Sequence, residues 1–254
     1  MARECVSDVR WVWAFVDRPL AEFDEAARFW ARVSDTTLSP RRGDEGRFAT
    51  FLPARGDAFL KLQGVDEGGG AHLDFEVAHL AETADQALAL GAEPVLREQG
   101  LVVLRSPGGQ RFCLTEWAGQ AQWPPVVTTP SGARTRVDQV CLDIGPDVFA
   151  RESAFWSALT GWPASDPGDG EFGRLATPPH LPVRILLQRC DEPGPAGAHI
   201  DVACSDVAAV RAWHERLGAR HLRDGRIWSV MRDPAGGVYC LTPRAPETGL
   251  LAPG

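Results

Sequence analysis

From Val9 to Val16 apolar residues occupy both parities, with Trp11, Trp13 and Phe15 forming the bulkier side. A short run that is apolar on both faces predicts a strand covered on both. The pattern then changes period. Ala26, Phe29 and Val33 fall at i, i+3 and i+7, which predicts a helix over about 21–33 packed on the sheet. Two strand-like runs follow, 47–52 and 58–63, around the turn chemistry of Pro53-Ala54-Arg55-Gly56-Asp57. After the glycine joint Gly68-Gly69-Gly70 comes a strand over 72–77. A helix over about 80–90 presents Leu80, Ala84, Ala87 and Leu88 on one face and stops at Gly91. Three short strands end at Glu116. A linker runs from Trp123-Pro124-Pro125 to Pro130-Ser131-Gly132, stiff and then polar. The pattern restarts with a strand over 137–144, a helix over 146–159 and strands over 172–176 and 183–188. Pro193-Gly194-Pro195 breaks the chain before the last unit, whose helix spans 207–217. The tail after Pro243 is expected to be frayed.

The restart is a repeat. Gly70-Ala71-His72-Leu73-Asp74-Phe75 corresponds to Gly197-Ala198-His199-Ile200-Asp201-Val202, and Leu90-Gly91-Ala92 to Leu217-Gly218-Ala219. Ser106-Pro107 and Asp233-Pro234 open matching segments that end in Phe112-Cys113-Leu114-Thr115 and Tyr239-Cys240-Leu241-Thr242, at one constant offset. Phe29-Trp30 matches Phe155-Trp156. A repeat this long means copies of one folded unit. The fold class is therefore α+β, two tandem domains each made of two βαβββ modules forming a concave cleft. The boundaries read as 1–120, a linker over 121–134, 135–245 and a tail over 246–254. Alternation assigns the faces. Ile200, Val202, Tyr239 and Leu241 go to the helices, while His199, Asp201, Val238, Cys240 and Thr242 go to the open face, joined by Gln139, Cys141 and Asp143. Each cleft is lined by a His, an Asp and a Cys, which is where a pocket belongs.

Composition narrows the classes of function. A net charge of -8 on 254 residues predicts no basic face and no nucleic-acid partner. No apolar run approaches the roughly 20 residues of a membrane helix. Met1-Ala2-Arg3-Glu4-Cys5 lacks the apolar core of a signal peptide. The six cysteines are scattered without a CxxC, which suits reduced thiols and a cytoplasmic location.

His72-Leu73-Asp74-Phe75-Glu76-Val77, the Leu-Gly-Ala helix ends and Asp233-Pro234-Ala235-Gly236-Gly237-Val238-Tyr239-Cys240-Leu241 resemble the vicinal oxygen chelate superfamily. That group holds glyoxalase I, bleomycin-resistance proteins, fosfomycin-resistance transferases and extradiol dioxygenases. The resemblance covers nearly the whole chain as two glyoxalase-like domains. It implies a metal site of His or Gln on the first strand, Glu on the fourth, His or Gln on the fifth and Glu on the eighth. In the second domain these positions fall on Gln139, on Leu186 or Gln188, on His199 and on Cys240. In the first domain they fall on Arg10, on Lys61 or Gln63, on His72 and on Cys113. Both glutamates are replaced in both domains, and Arg10 would repel a cation.

The candidate ligand-binding residues are therefore Gln139, Asp143, Gln188, His199, Asp201, Trp228 and Cys240 in the second domain. Gln63, His72, Asp74 and Cys113 are their counterparts in the first. Trp117, Trp162 and Trp228 could stack on a flat ligand, and Trp228 fits a pocket or the core equally. Trp11, Trp13, Trp30 and Trp156 belong to the core, and His214 to the surface or core edge. The first expectation is a protein that binds a small organic molecule with no metal cofactor. The alternative is an enzyme of the same superfamily, a lyase, isomerase or dioxygenase. It would use a divalent metal in domain two, His199 and Asp201 as acid and base, or Cys240 activated by His199. A third possibility is that domain one is structural. The chain is expected to be a monomer or homodimer without a membrane partner.

Overall fold

The computed structural model describes residues 8–165, 167–168 and 170–251. The expectations for Met1 to Cys5 lie outside the described residues. The first half runs β1 (Val9–Pro19), α1 (Phe23–Ser34), β2 (Thr36–Leu38), β3 (Phe48–Pro53) and β4 (Leu60–Val65). It continues with β5 (Gly70–Val77), α2 (Leu80–Ala89), β6 (Glu93–Glu98), β7 (Leu101–Arg105) and β8 (Arg111–Glu116). The second half runs β9 (Val127–Thr128), β10 (Arg134–Ile144), α3 (Phe149–Thr160), β11 (Phe172–Arg174) and β12 (Arg184–Arg189). Its last unit holds β13 (Gly197–Cys204), α4 (Val207–Arg216), β14 (Arg220–Asp224), β15 (Ser229–Arg232) and β16 (Val238–Thr242). Hydrogen-bonded strands follow the order β2-β3-β4-β1-β5-β8-β7-β6 in one sheet. In the other they follow β11-β12-β10-β13-β16-β15-β14, with β9 paired to β10. The α+β class and the doubled module order agree with the sequence pattern. α3 starts three residues later than its expected start at 146, because Val148 N–H closes a turn on the Gly145 carbonyl first.

The chain forms two compact units that do not follow its linear order. One comprises the segment up to Trp13 with His72–Gln120 and Cys141–Ala198. The other comprises Ala14–Ala71, Ala121–Val140 and the segment from His199 onward.

In the first unit α3 packs on β5 and β8. Trp156 lies 5.0 Å from Phe112 and 5.9 Å from Phe75 between ring centroids. The indole N–H of Trp156 donates to Glu152 Oε1 at 2.7 Å, and this fully buried carboxylate also accepts from Ser106 Oγ at 2.5 Å and Gly108 N at 2.6 Å. Gly108 is required there, because a Cβ would stand 2.7 Å from Glu152 Oε2. Trp162 is 2% exposed and meets Phe75 edge-on, so it is a core residue rather than a ligand platform. On α2 the buried positions are Thr83, Ala84 and Ala87, while Leu88 is exposed, contrary to the expected stripe. The Thr83 hydroxyl is satisfied by two acceptors within reach, Asp8 Oδ2 at 2.8 Å and the His79 carbonyl at 2.9 Å, which lets a polar residue take the inner face.

The second unit is built the same way with α1 on β16. Trp30 lies 5.3 Å from Tyr239, and its N–H donates to Asp233 Oδ2 at 2.9 Å. Arg18 Nε donates to the same oxygen at 2.7 Å, and Arg18 Nη1 to the Gly70 carbonyl at 2.8 Å. A Cβ on Gly237 would fall 1.9 Å from the Arg18 guanidinium carbon. His214 is not at the surface. It is 0% exposed, and its Nδ1 is 3.0 Å from the Tyr239 hydroxyl. The expected fraying after Pro243 is also corrected as far as Leu251. Arg244 bridges to Leu251, Ala245 N donates to the Leu250 carbonyl, and Glu247 pairs with Arg134 at 2.6 Å.

Among the described residues, no helix is long and apolar enough to cross a membrane. The five described cysteines are free thiols.

Candidate functional site

The parallel pairing of β13 with β16 sets Asp201 directly opposite Cys240. Strand alternation brings His199 to the same face, two residues from Asp201, while Ile200 and Val202 are buried on the other. The ligand atoms of His199, Asp201 and Cys240 all lie within 4.8 Å of one another. His199 Nε2 is 3.4 Å from Asp201 Oδ1. Gln139 on β10 donates its amide N–H to Asp201 Oδ2 at 2.5 Å. Behind this carboxylate stands a second, deeper pair. Arg244 donates two hydrogen bonds to Asp138, at 2.6 and 3.0 Å, and its Nη1 lies 3.7 Å from Asp201 Oδ2.

The electrostatics follow from these contacts. Burial pushes the Asp201 carboxyl up, but the His199 contact and charge, Arg244 and the Gln139 amide together outweigh it, so the group is held below its ordinary value. Burial pulls the Arg244 guanidinium down, while Asp138 and Asp201 act against it and leave it raised above its ordinary value. Asp201 is thus an ionised, buried carboxylate next to an imidazole of which 16% of the side chain reaches solvent. Such a pair orients the imidazole. Cys204, on the same strand, is a contrasting case: burial pushes its thiol up to about 12, so it is a packing residue.

The first copy repeats the geometry. β5 pairs with β8 in the same parallel register, Asp74 opposite Cys113. The ligand atoms of His72, Asp74 and Cys113 also lie within 4.8 Å of one another, and His72 Nε2 is 3.6 Å from Asp74 Oδ1. The surroundings differ. Trp117 stands at the offset of Arg244, 45% exposed, with its indole N–H donating to the Gln120 carbonyl. Glu76 lies two residues beyond Asp74. It accepts from Trp13 Nε1 at 2.7 Å, Gln120 Nε2 at 3.1 Å and Ala118 N at 3.2 Å.

The remaining candidates sit elsewhere. Gln188 on β12 accepts from Cys141 Sγ at 3.5 Å and donates to Glu171 at 2.6 Å. Asp143 is half-buried near the end of β10. Gln63 is half-buried on β4, opposite Asp17 of β1. The Lys61 ammonium lies 5.1 Å above the Phe15 ring. Trp228 packs against Gly225 in the β14–β15 turn, where a Cβ on that glycine would overlap the indole. Sequence reasoning missed Asp138, Arg244 and Glu76. Asp138 has the wrong parity for the open face, and Arg244 follows a proline in a stretch with no period. Glu76 alone carried a signal, because it shares the parity of His72 and Asp74.

A sequence model of the Glyoxalase-like domain matches residues 13–115 and again 139–242. The chain belongs to this glyoxalase-like family. The two matches begin at Trp13 and Gln139, and Arg10 precedes the first and is exposed. No curated protein sequence matches the chain. Solved structures do. The 2,3-dioxygenase LapB from Pseudomonas sp. KL28 aligns with a TM-score of 0.65 at 14% identity over 93% of each chain. A catechol 2,3-dioxygenase aligns with a TM-score of 0.61 at 12% identity, over 93% of this chain and 88% of that one. A triple mutant of 4-hydroxymandelate synthase from Streptomyces coelicolor aligns with a TM-score of 0.61 at 15% identity, over 98% and 94%. At these identities the likeness is one of fold. Among the described residues, two groups of potential metal donors, His72-Asp74-Cys113 and His199-Asp201-Cys240, each lie within one compact unit. Imidazole, carboxylate and thiolate suit a borderline-soft ion such as zinc. In the second copy, Arg244 opposes a cation at Asp201.

Proposed function

We propose that this glyoxalase-like protein binds a small organic molecule on the polar face of β13 and β16, without the glutamate-based metal set of its superfamily. The observation that carries this reading is the buried chain Asp138–Arg244–Asp201–His199, closed by Gln139. A carboxylate already holding an amide and facing a guanidinium at 3.7 Å is built to fix an imidazole rather than to hold an ion. His199 then presents its other ring nitrogen to a ligand hydroxyl, amine or acidic C–H. The solved structures of this fold include dioxygenases of catechols, so small hydroxylated aromatics head the ligand screen. The test is thermal shift of wild-type protein and His199→Ala against such a panel, catechol included. A binder present at about 100 times its Kd adds roughly 2.7 kcal/mol of native-state stability. A shift of several degrees in wild type, lost in the variant, supports the reading. A panel without hits, or hits that ignore His199, overturns it.

One observation favours a second reading, a metal enzyme with its centre in the second copy: the 4.8 Å grouping of His199, Asp201 and Cys240. Elemental analysis of untagged protein and of His199→Ala decides between the two. About one equivalent of metal per chain, lost in the variant, selects the enzyme.

A further inference from the structure

We propose, on the reading that β13 and β16 present a ligand-binding face, that the molecule bound there carries an oxyanion, a carboxylate or a phosphate, held by Arg232 and Arg220.

Register builds the site. β13, β16, β15 and β14 are consecutive neighbours in one sheet. Asp201 lies beside Cys240, so one step back in the same parallel register His199 lies beside Val238. Val238 is paired with Arg232, and Arg232 with Arg220. Residues directly paired across strands share a face. His199, Val238, Arg232 and Arg220 therefore form one row across the polar face. Two strand spacings of about 4.8 Å put Arg232 roughly 10 Å from His199. The next row runs from Asp201 through Cys240 and Val230 to a third guanidinium, that of Arg223. The opposite parity agrees: Asp224 turns to the helix side, where Arg211 of α4 lies 3.6 Å from it.

Like charges directly opposite on two strands are destabilising. Among the described residues no carboxylate pairs with Arg220, Arg223 or Arg232, and Arg232 Nε is buried without a hydrogen-bond partner. Charges on an edge strand guard it against pairing with another chain, which accounts for Arg220 and Arg223. Edge protection does not account for Arg232, half-buried on β15, one strand in. The first copy holds the balanced alternative. At the repeat offset Arg105 corresponds to Arg232 and Glu93 to Arg220, and Glu93 is paired directly with Arg105. Leu96 stands at the Arg223 position and Arg111 at that of Val238. The second copy thus replaces an acid and a leucine by two arginines, in a chain of net charge -8. Val238, 38% exposed, leaves an apolar floor between His199 and the guanidinium groups. Two planar guanidinium forks side by side match the oxygens of a carboxylate or phosphate, and an oxyanion between them offsets their repulsion. The ligand has its oxyanion at this end, an apolar middle over Val238 and a hydroxyl or amine toward His199.

The experiment is calorimetric titration of the full-length protein at low salt. The probes are para-hydroxybenzoate, para-hydroxyphenylpropanoate and para-hydroxyphenylbutanoate, the uncharged amide of each, and para-hydroxyphenethyl phosphate. At least one oxyanion should bind about tenfold or more tightly than the amides, with an affinity that falls as salt rises. Arg232→Gln and Arg220→Gln should each lose that preference with circular dichroism unchanged. Arg216→Gln, at an exposed position of α4, should keep it. Tighter binding of the phosphate ester than of every acid identifies phosphate as the group held, and the reverse order identifies carboxylate. Acids and amides that bind alike, with binding lost in His199→Ala, overturn the oxyanion and leave the binding face in place. Oxyanion binding lost in Arg232→Gln but unchanged in His199→Ala supports the arginine grip and overturns the role of His199. A preference that persists in Arg232→Gln, or no binding by any probe, overturns the proposal.

Discussion

At the scale of single residues, His214 is a base with no room for its proton. Its Nδ1 faces the Tyr239 hydroxyl, its Nε2 has no hydrogen-bond partner, and the rings of Phe29 and Trp213 close the site. Burial pulls its pKa from 6.5 down to about 3. The folded value lies below the unfolded one, so the neutral ring's contribution is fully present above pH 6.5. It is lost as pH falls toward 3, because the unfolded chain takes the proton and the native state refuses it. The slope expected in that window is about 1.4 kcal/mol per pH unit from this one group. Urea unfolding of wild type and His214→Gln across pH 7 to 4 checks it: the variant should show the shallower decline. Asp233 poses the converse problem. It is the carboxylate that Arg18 meets at 2.6 Å, with side chains 1% and 0% exposed. Asp233→Ala leaves a guanidinium buried without its counter-charge, at a cost of about 3–5 kcal/mol. Asp85→Ala, on the exposed face of α2, should stay within about 0.5 kcal/mol in the same denaturation series.

Among elements, the two helix–sheet contacts solve one problem twice. Trp30 and Trp156 each bring an indole N–H into a core, and each must find a buried acceptor. In one unit the acceptor is Asp233, in the turn before β16. In the other the turn position holds Ser106, and the acid has moved onto the helix as Glu152, one turn before Trp156. Glu152→Ala leaves three buried donors unmet, those of Ser106, Gly108 and Trp156. The expected loss is roughly 3 kcal/mol or more, measured by denaturation, with tryptophan emission reporting the altered core. Part of this was legible in the sequence. Parity put His199, Asp201 and Cys240 on one face because a strand has a strict period of two, and the repeat gave the same answer for His72, Asp74 and Cys113. The Phe-Trp pairs were likewise assigned to the core. What stayed hidden are contacts across long stretches of chain, such as Arg18 to Asp233 and Arg244 to Asp138. These depend on which module packs with which, and no local period encodes that. His214 was misplaced for a different reason. It falls beside Val210 and Trp213 on the inner face of α4, but its polar side chain argued for the surface.

For the whole chain, the composition of the two compact units makes a prediction about its halves. Each unit draws on segments from both sides of the junction between Gln120 and Ala121. α1, from the first half, completes its core with Tyr239, His214 and Asp233, from the second. α3, from the second half, completes its core with Phe75, Phe112 and Ser106, from the first. Cutting the chain between Gln120 and Ala121 therefore separates the partners of every one of these contacts, including both indole–carboxylate anchors or their turn partners. A half on its own exposes Trp30 and Phe29, or Trp156 and Phe155, all of them 3% exposed or less in the intact chain. Burying each such side chain contributes about 1.5–3 kcal/mol, a large share of the 5–15 kcal/mol typical of a folded domain. Residues 1–120 and 121–254 made separately should thus be unfolded or self-associated, since a module without its partner can only satisfy its helix against a second copy. Mixing the two should restore one heterodimer with native near-ultraviolet circular dichroism and a concentration-dependent melting point. Size-exclusion chromatography with light scattering distinguishes the outcomes. A monomeric, cooperatively folded 1–120 fragment would show that the first half closes its own core, and the cross-chain contacts would then be secondary to its stability.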